Sequence, residues 1–243
     1  MGGTSPLKTD AQLLKLNAQA ALVSWYKPRL PSHKCPNHVA LHRFAASHIG
    51  AEANIQYLEF GVHKGASMKR ALSLFTNKNA AFTGFDSFEG LPERWLTMRA
   101  GHFSTGGEPP PLRDPRLHFR KGWFQNTVPA FLPGLERDPA QVTLVHFDAD
   151  LYSSTLFLLT SLWWHIREYF FIFDEFFGEE LIAMTDFMSA YPIEVELFAC
   201  VETGVGMPIQ VFGKLRNIPM VVEGSAPQKQ AAGSGLGDPE PAG

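Results

Sequence analysis

Residues 55–65 read IQYLEFGVHKG. A run dominated by apolar and aromatic residues ends in the turn Gly61-Val-His-Lys-Gly65, and a helical pattern follows through Leu74. Such a run, closed by a glycine turn and a helix, reads as a strand buried on both faces, the unit of a parallel sheet. The same punctuation recurs further along the chain. AFTGF (81–85), residues 117–120, VTLVHF (142–147) and YFFIF (169–173) read as further strands. Residues 151–167 and 178–190 read as helices, and 193–198 with 208–215 as a closing pair around Gly204 and Gly206. This alternation predicts an α/β fold with a mostly parallel seven-stranded sheet, an antiparallel edge hairpin and helices on both faces.

The flanks differ. Residues 10–26 carry Leu13, Leu14, Leu16, Ala20, Ala21 and Val23 at helical spacing, after which Pro28, Pro31 and Pro36 break the chain. Residues 1–54 are therefore expected to form a helical cap or lid, and 55–220 the main domain. Within it, 98–115 holds Gly101, Gly106, Gly107, three consecutive prolines and Asp114-Pro115, a loop long enough to serve as a lid. Residues 221–243 are rich in Gly and Pro without an aromatic and read as a disordered tail.

Composition excludes several functions. A net charge of −3 without a basic run argues against a protein that neutralises nucleic-acid phosphates. No stretch is long and apolar enough to span a bilayer, and the N-terminus lacks a signal-peptide pattern, so neither a membrane nor secretion is expected. Two cysteines, Cys35 and Cys200, fit a reducing compartment and a cytoplasmic location.

The acids carry the chemistry. Glu59, Asp86, Asp148 and Asp174 each stand at or just after the end of an apolar strand. In open parallel sheets ligands bind at that end. Glu59-Phe-Gly61-Val-His-Lys-Gly65 places an acid before a turn whose glycines admit close approach to a ligand. Asp86, 27 residues on, stands where an acid can accept from both ribose hydroxyls of an adenosine cofactor. A dinucleotide fits poorly, because His63 replaces the second glycine of the phosphate-binding pattern and Glu59 would oppose a phosphate. A cationic cofactor suits Glu59 better, which points to S-adenosylmethionine.

A second acidic group is Asp148-Ala-Asp150, answered by Asp174-Glu175. Carboxylates crowded on one rim repel unless a cation lies among them, and a hard divalent ion such as Mg²⁺ relieves that repulsion. Asp150 itself reads first as a cap for the helix beginning at Leu151. Asp148-Ala-Asp150 is also the D-x-D of metal-dependent glycosyltransferases, although Glu59–Gly65 and Asp86 have no role there. A non-catalytic binding protein of the same fold is the remaining alternative. Cys35, His38 and His42 lack the second pair that a zinc site needs, and Trp163-Trp164 reads as core or interface.

Taken together, LEFGVHKGAS from Leu58, GFDSFEGLPE from Gly84, GHFSTGGEPP from Gly101, KGWFQNTVPAFL from Lys121, FDADLYSST from Phe147 and IFDEF from Ile172 resemble the TylF/MycF-like macrocin O-methyltransferase family. The resemblance implies a Rossmann-like methyltransferase fold and a transfer to a small-molecule hydroxyl, typically of a sugar on a natural-product glycoside. It implies that Glu59, Gly61, Gly65 and Ser67 line the methionine end of the cofactor. Asp86, Ser87 and Phe88 would hold the ribose and one adenine face, with Gly122 and Trp123 on the other side. Asp148, Asp174 and Glu175 would bind Mg²⁺, with Asp148 as general base. Related enzymes are often homo-oligomers. Two departures stand out: His165-Ile-Arg-Glu168 replaces the family's Pro-Gly-Gly turn, and Asp174-Glu175 stands where Asp-Asp is usual.

Overall fold

The structure is a computed structural model that describes residues 16–135, 140–204 and 206–218. The expected start of the N-terminal helix and the expected tail lie outside the described residues. The strands are β1 (His33–Lys34), β2 (Ile55–Phe60), β3 (Ala81–Asp86), β4 (Leu117–Lys121), β5 (Val142–Phe147), β6 (Glu168–Phe173), β7 (Ile193–Glu202) and β8 (Pro208–Asn217). The main helices are α1 (His38–Ile49), α2 (Ala66–Leu74), α3 (Phe124–Phe131), α4 (Tyr152–His165) and α5 (Glu179–Ala190).

One sheet holds all eight strands in the order β1-β7-β8-β6-β5-β2-β3-β4. Pairing is parallel except where β8 lies antiparallel to β6 and β7. The architecture is the expected α/β one, a mostly parallel sheet with an antiparallel hairpin and helices on both faces, corrected from seven strands to eight. The addition is β1, two residues flanked by Pro31 and Pro36, which pair with Ala199 and Cys200 of β7. Two residues carry no periodicity, so the sequence offered no signal for them. The hairpin accordingly sits one strand in from the edge, and its strands run several residues longer than expected.

Strand alternation sorts side chains between two layers. Leu58, Phe60, Val145, Phe147, Phe171 and Phe173 belong to the core shared with α3, α4 and α5. Ile55, Tyr57, Leu144 and Ile172 belong to the core shared with α1 and α2. Four phenylalanines then meet in register at the C-terminal end of the sheet. Phe85 pairs with Phe60, Phe60 with Phe147, and Phe147 with Phe173, with ring centroids 4.8, 6.1 and 4.5 Å apart. Each precedes a rim residue: Asp86, Gly61, Asp148 or Asp174. The apolar row fixes where the acidic row begins.

The N-terminal segment is helical from residue 16 and widens into a π-turn over Leu22–Tyr26. Trp25 and Tyr26 pack edge-on against Phe176, just past β6, and the Tyr26 hydroxyl donates to Glu202 (3.1 Å). Among the described residues no helix is long and apolar enough to cross a membrane.

Candidate active site

The chain leaves β2 toward β3 and β4 on one side, then returns to β5 and β6 on the other, so strand order reverses between β2 and β5. A cavity of about 300 Å³ opens there. Its walls are the C-terminal ends of five parallel strands. Gly61 and His63 follow β2, and Asp86, Ser87, Leu91, Pro92 and Trp95 close and follow β3. Gly122, Trp123 and Gln125 follow β4, while Asp148 and Asp150 follow β5 and Asp174 and Glu175 follow β6. Phe103, from the 98–115 loop, closes one side. That volume lies at the lower end of small-molecule sites.

Of the residues singled out by sequence, Gly61, Asp86, Ser87, Gly122, Trp123, Asp148, Asp174 and Glu175 face this cavity. Glu59, Gly65, Ser67 and Phe88 stand outside its lining. Glu59 is fully buried, accepting from the Tyr57 hydroxyl (2.7 Å) on one oxygen and the Ser67 hydroxyl (2.8 Å) on the other. Gly65 begins α2 in left-handed backbone with Pro110 and Leu112 against it, so the 98–115 loop is packed down at this point.

Gly61 has a φ of 94°, and a Cβ there would lie 1.8 Å from the Asp148 carbonyl oxygen. The glycine lets β2 leave the sheet beside the β5 turn, bringing the two halves of the rim into contact. Asp86 fixes the same turn: Val62 N–H and His63 N–H donate to its Oδ2 (2.9 and 2.8 Å), and Phe88 N–H to its Oδ1 (2.7 Å). Oδ2 is filled by its two N–H donors, and Oδ1 retains a lone pair for a ligand hydroxyl.

Asp150 is not the helix cap that the sequence first indicates. Its φ of 61° is left-handed, and its carboxylate faces the cavity. The cap comes instead from across the fold, where Glu179 Oε2 accepts from Tyr152 N–H (2.7 Å). Beside it Glu180, fully buried, accepts from Ala149 N–H (3.3 Å) and Glu175 N–H (3.1 Å). One carboxyl thus joins the loop after β5 to the loop after β6. Sequence reasoning missed Glu180; its only local signal was an acid in the first turn of a helix.

It also missed His146. This residue sits two before Asp148 on β5, hence on the same face, and is the one ionisable residue of an otherwise uncharged strand. Its Nδ1 lies 3.2 Å from Tyr57 Oη and 3.6 Å from Glu59 Oε2, and its Nε2 lies 3.7 Å from Asp174 Oδ1. Ligand atoms of His146, Asp148 and Asp174 lie within 4.8 Å of one another. Glu175 stands outside that group and His146 stands within it.

Charge on the rim is unevenly shared. Burial, reinforced by the Asp174 charge, pushes the Asp148 carboxyl well up. Burial is the largest influence on Asp174 and opposes its ionisation, but the nearby His146 and the Gln210 amide together outweigh it and hold Asp174 down. Burial alone would lower the His146 imidazole, yet Asp174 and Glu59 on either side carry it up to about 10. Asp150 is pushed up to about 7 by burial and then by Glu175. Glu175 rises to about 7 through burial and Asp174. Neighbouring carboxyls with opposed preferences are the arrangement from which acid–base pairs are made. The oxygens clustered around an unpartnered buried His146 Nε2 also suit a divalent cation.

No curated protein matches the chain. Among solved structures it is similar to cofactor-bound Rv0187 from MTB, at 14% identity, covering 89% of this chain and 99% of that one (TM-score 0.46). It is also similar to an O-methyltransferase from Bacillus cereus in complex with SAH, at 10% identity over 83% and 91% of the two chains (TM-score 0.47). A third is TomG from Streptomyces achromogenes, an O-methyltransferase involved in tomaymycin synthesis, in complex with SAM, at 12% identity over 88% and 95% (TM-score 0.44). Residues 58–173, from β2 to the end of β6, match the family Methyltransf_24, described as a methyltransferase domain.

Proposed function

We propose that the chain is an S-adenosylmethionine-dependent O-methyltransferase acting on a hydroxyl of a sugar or natural-product glycoside, with a divalent cation that the sequence resemblance makes Mg²⁺. The observation that carries this reading is a single cavity with two unlike halves. Gly61, Asp86 and Trp123 offer backbone, a carboxylate and an aromatic face to a nucleoside. Asp148, Asp174 and Glu175 offer acids to a hydroxyl and a cation. The methyltransferase-domain match over 58–173 supports the same reaction class.

In this reading Asp86 Oδ1 accepts from a ribose hydroxyl and Trp123 covers the adenine. Glu59 and Ser67, behind the wall, hold the floor near the methionine end. Asp148 and Asp174 would hold the cation, which when bound supplies positive charge that favours ionisation of Asp148 and of an acceptor hydroxyl. Asp148 takes the hydroxyl proton. The oxygen attacks the methyl carbon in line, the C–S bond breaks, and its electron pair stays on sulfur to give S-adenosylhomocysteine. Leu91, Pro92, Trp95 and Phe103 exclude water from the acceptor side.

The test is calorimetry with S-adenosylmethionine, with and without Mg²⁺, on wild type, Asp86→Ala and Trp123→Ala. Wild type is expected to bind and both variants to bind more weakly. Because Asp86 also ties the Gly61 turn, Trp123→Ala is the cleaner probe of the adenine contact. No binding by the wild type sinks the assignment. If Asp148→Asn keeps full transfer to an identified acceptor, the base assignment fails and the cofactor reading stands.

A further inference from the structure

The two ring nitrogens of His146 have unlike surroundings, and accounting for their hydrogens assigns them unlike tasks. The Tyr57 hydroxyl spends its hydrogen on Glu59 Oε2 at 2.7 Å. The 3.2 Å contact between Tyr57 Oη and His146 Nδ1 then requires the hydrogen to come from Nδ1. Nε2 then holds either a second proton, which Asp174 and Glu59 favour in the ion-free ring, or a lone pair open to an ion. That nitrogen is buried without a hydrogen-bond partner, and it faces Asp174 Oδ1 at 3.7 Å with an Asp148 oxygen in the same group. Carboxylate oxygens around this nitrogen call for a positive centre there, either a proton or a metal ion.

We propose that His146 Nε2 is a metal ligand which, with Asp148 and Asp174, forms a mixed nitrogen–oxygen site that prefers a divalent first-row transition ion to Mg²⁺. The inference shares Asp148 and Asp174 with the methyltransferase reading and otherwise stands on His146 alone. The surroundings are those of a supported ligand. Glu59 lies against the far nitrogen and is itself fixed by Tyr57 and Ser67. The Gln210 amide donates to Asp174 Oδ1. The Tyr57 hydroxyl, backed by Glu59, orients the ring through its other nitrogen, as an outer partner commonly does for a histidine ligand. An imidazole nitrogen suits Mn²⁺, Fe²⁺, Co²⁺ or Zn²⁺, whereas Mg²⁺ favours an all-oxygen shell. A proton and an ion compete for Nε2, so a bound ion expels the proton.

The test uses the full chain, stripped with a chelator and loaded with Mn²⁺. Pulsed electron paramagnetic resonance should show ¹⁴N coupling to the ion in wild type. The coupling should vanish in His146→Gln and persist in His42→Gln, whose ring lies 5.2 Å from that of His146. Mn²⁺ affinity should fall at least ~10-fold in His146→Gln, the lower end of what ligand-supporting changes cost, while Mg²⁺ affinity changes far less. A wild-type protein that binds no Mn²⁺, or binds it without nitrogen coupling, overturns the proposal whether or not the variants fold. Coupling that survives in His146→Gln overturns it as well. S-adenosylmethionine calorimetry on the same samples separates the two ideas. Cofactor binding without nitrogen coupling removes only the His146 ligand, and nitrogen coupling without cofactor binding removes only the methyltransferase.

Discussion

Asp150 is strained and half-buried in the same place. Its backbone occupies left-handed space that costs a side-chain-bearing residue roughly 1 kcal/mol, and its carboxyl is crowded by Glu175, Asp174 and Glu179. Glycine would relieve both. Asp150→Gly is therefore expected to raise stability by about 1 kcal/mol in urea unfolding, within the range of backbone-strain relief. Loss of the carboxylate from the cavity is expected to lower methyl transfer at the same time. A variant that is both more stable and fully active would show that Asp150 has no part in the reaction. The sequence marked the acid correctly but gave it the wrong task, because the oxygen that caps α4 arrives from Glu179, 27 residues away.

At the scale of elements, α5 supports the site through Glu180. Glu180→Ala leaves the N–H groups of Ala149 and Glu175 without their acceptor, a loss of about 2 kcal/mol. The two loops it joins carry Asp148, Asp150, Asp174 and Glu175. Turnover should accordingly fall more than affinity for S-adenosylmethionine, and comparison of kcat with cofactor Kd checks this. Equal losses in both would mean that Glu180 supports the whole cavity rather than its acidic half.

A second support holds the end of the 98–115 loop. Arg116 donates to both oxygens of Asp114 (2.9 and 2.8 Å) and to the carbonyls of Leu72, Phe75 and Asn77 around the end of α2. The hydrogen bonds from Arg116 hold the Asp114 carboxyl below its usual range, although burial opposes them. A folded-state pKa below the unfolded one means stability that is present above the ordinary carboxylate range. That stability is lost as pH falls through the folded value. Urea midpoints measured down the acid limb should therefore fall more steeply for wild type than for Asp114→Asn.

How much of this was legible follows from where the information lies. Strands β2, β3, β5 and β6 could be read because each is a local, mostly apolar run, and their acids could be read because each stands at or just after the end of its run. His33–Lys34, Glu180 and His146 could not. β1 exists only through β7, Glu180 is defined by two loops distant in sequence, and His146 looks like any strand residue until Tyr57, Glu59 and Asp174 surround it. Local pattern carries the sheet; the polar network beneath the rim is made by tertiary contact.

For the whole molecule, ligand binding should stabilise the fold by mass action. At a cofactor concentration 100 times its Kd the gain is about 2.7 kcal/mol, readable as a rise in Tm. Trp123→Ala should lose at least about a third of that gain at the same concentration, since an aromatic contact of this kind is worth roughly 1 kcal/mol beyond its buried area. An undiminished rise would place the cofactor away from α3.

Two of the five tryptophans, Trp95 and Trp123, face the cavity, while Trp163 and Trp164 belong to the far end of α4 and Trp25 packs on Phe176. The site therefore carries its own optical reporter. A purine settling against Trp123 would quench its emission, and an acceptor entering beside Trp95 would perturb a second indole in the segment after β3. With Trp95→Phe and Trp123→Phe read separately, the order in which the two halves of the cavity fill becomes visible in a stopped-flow trace without any label.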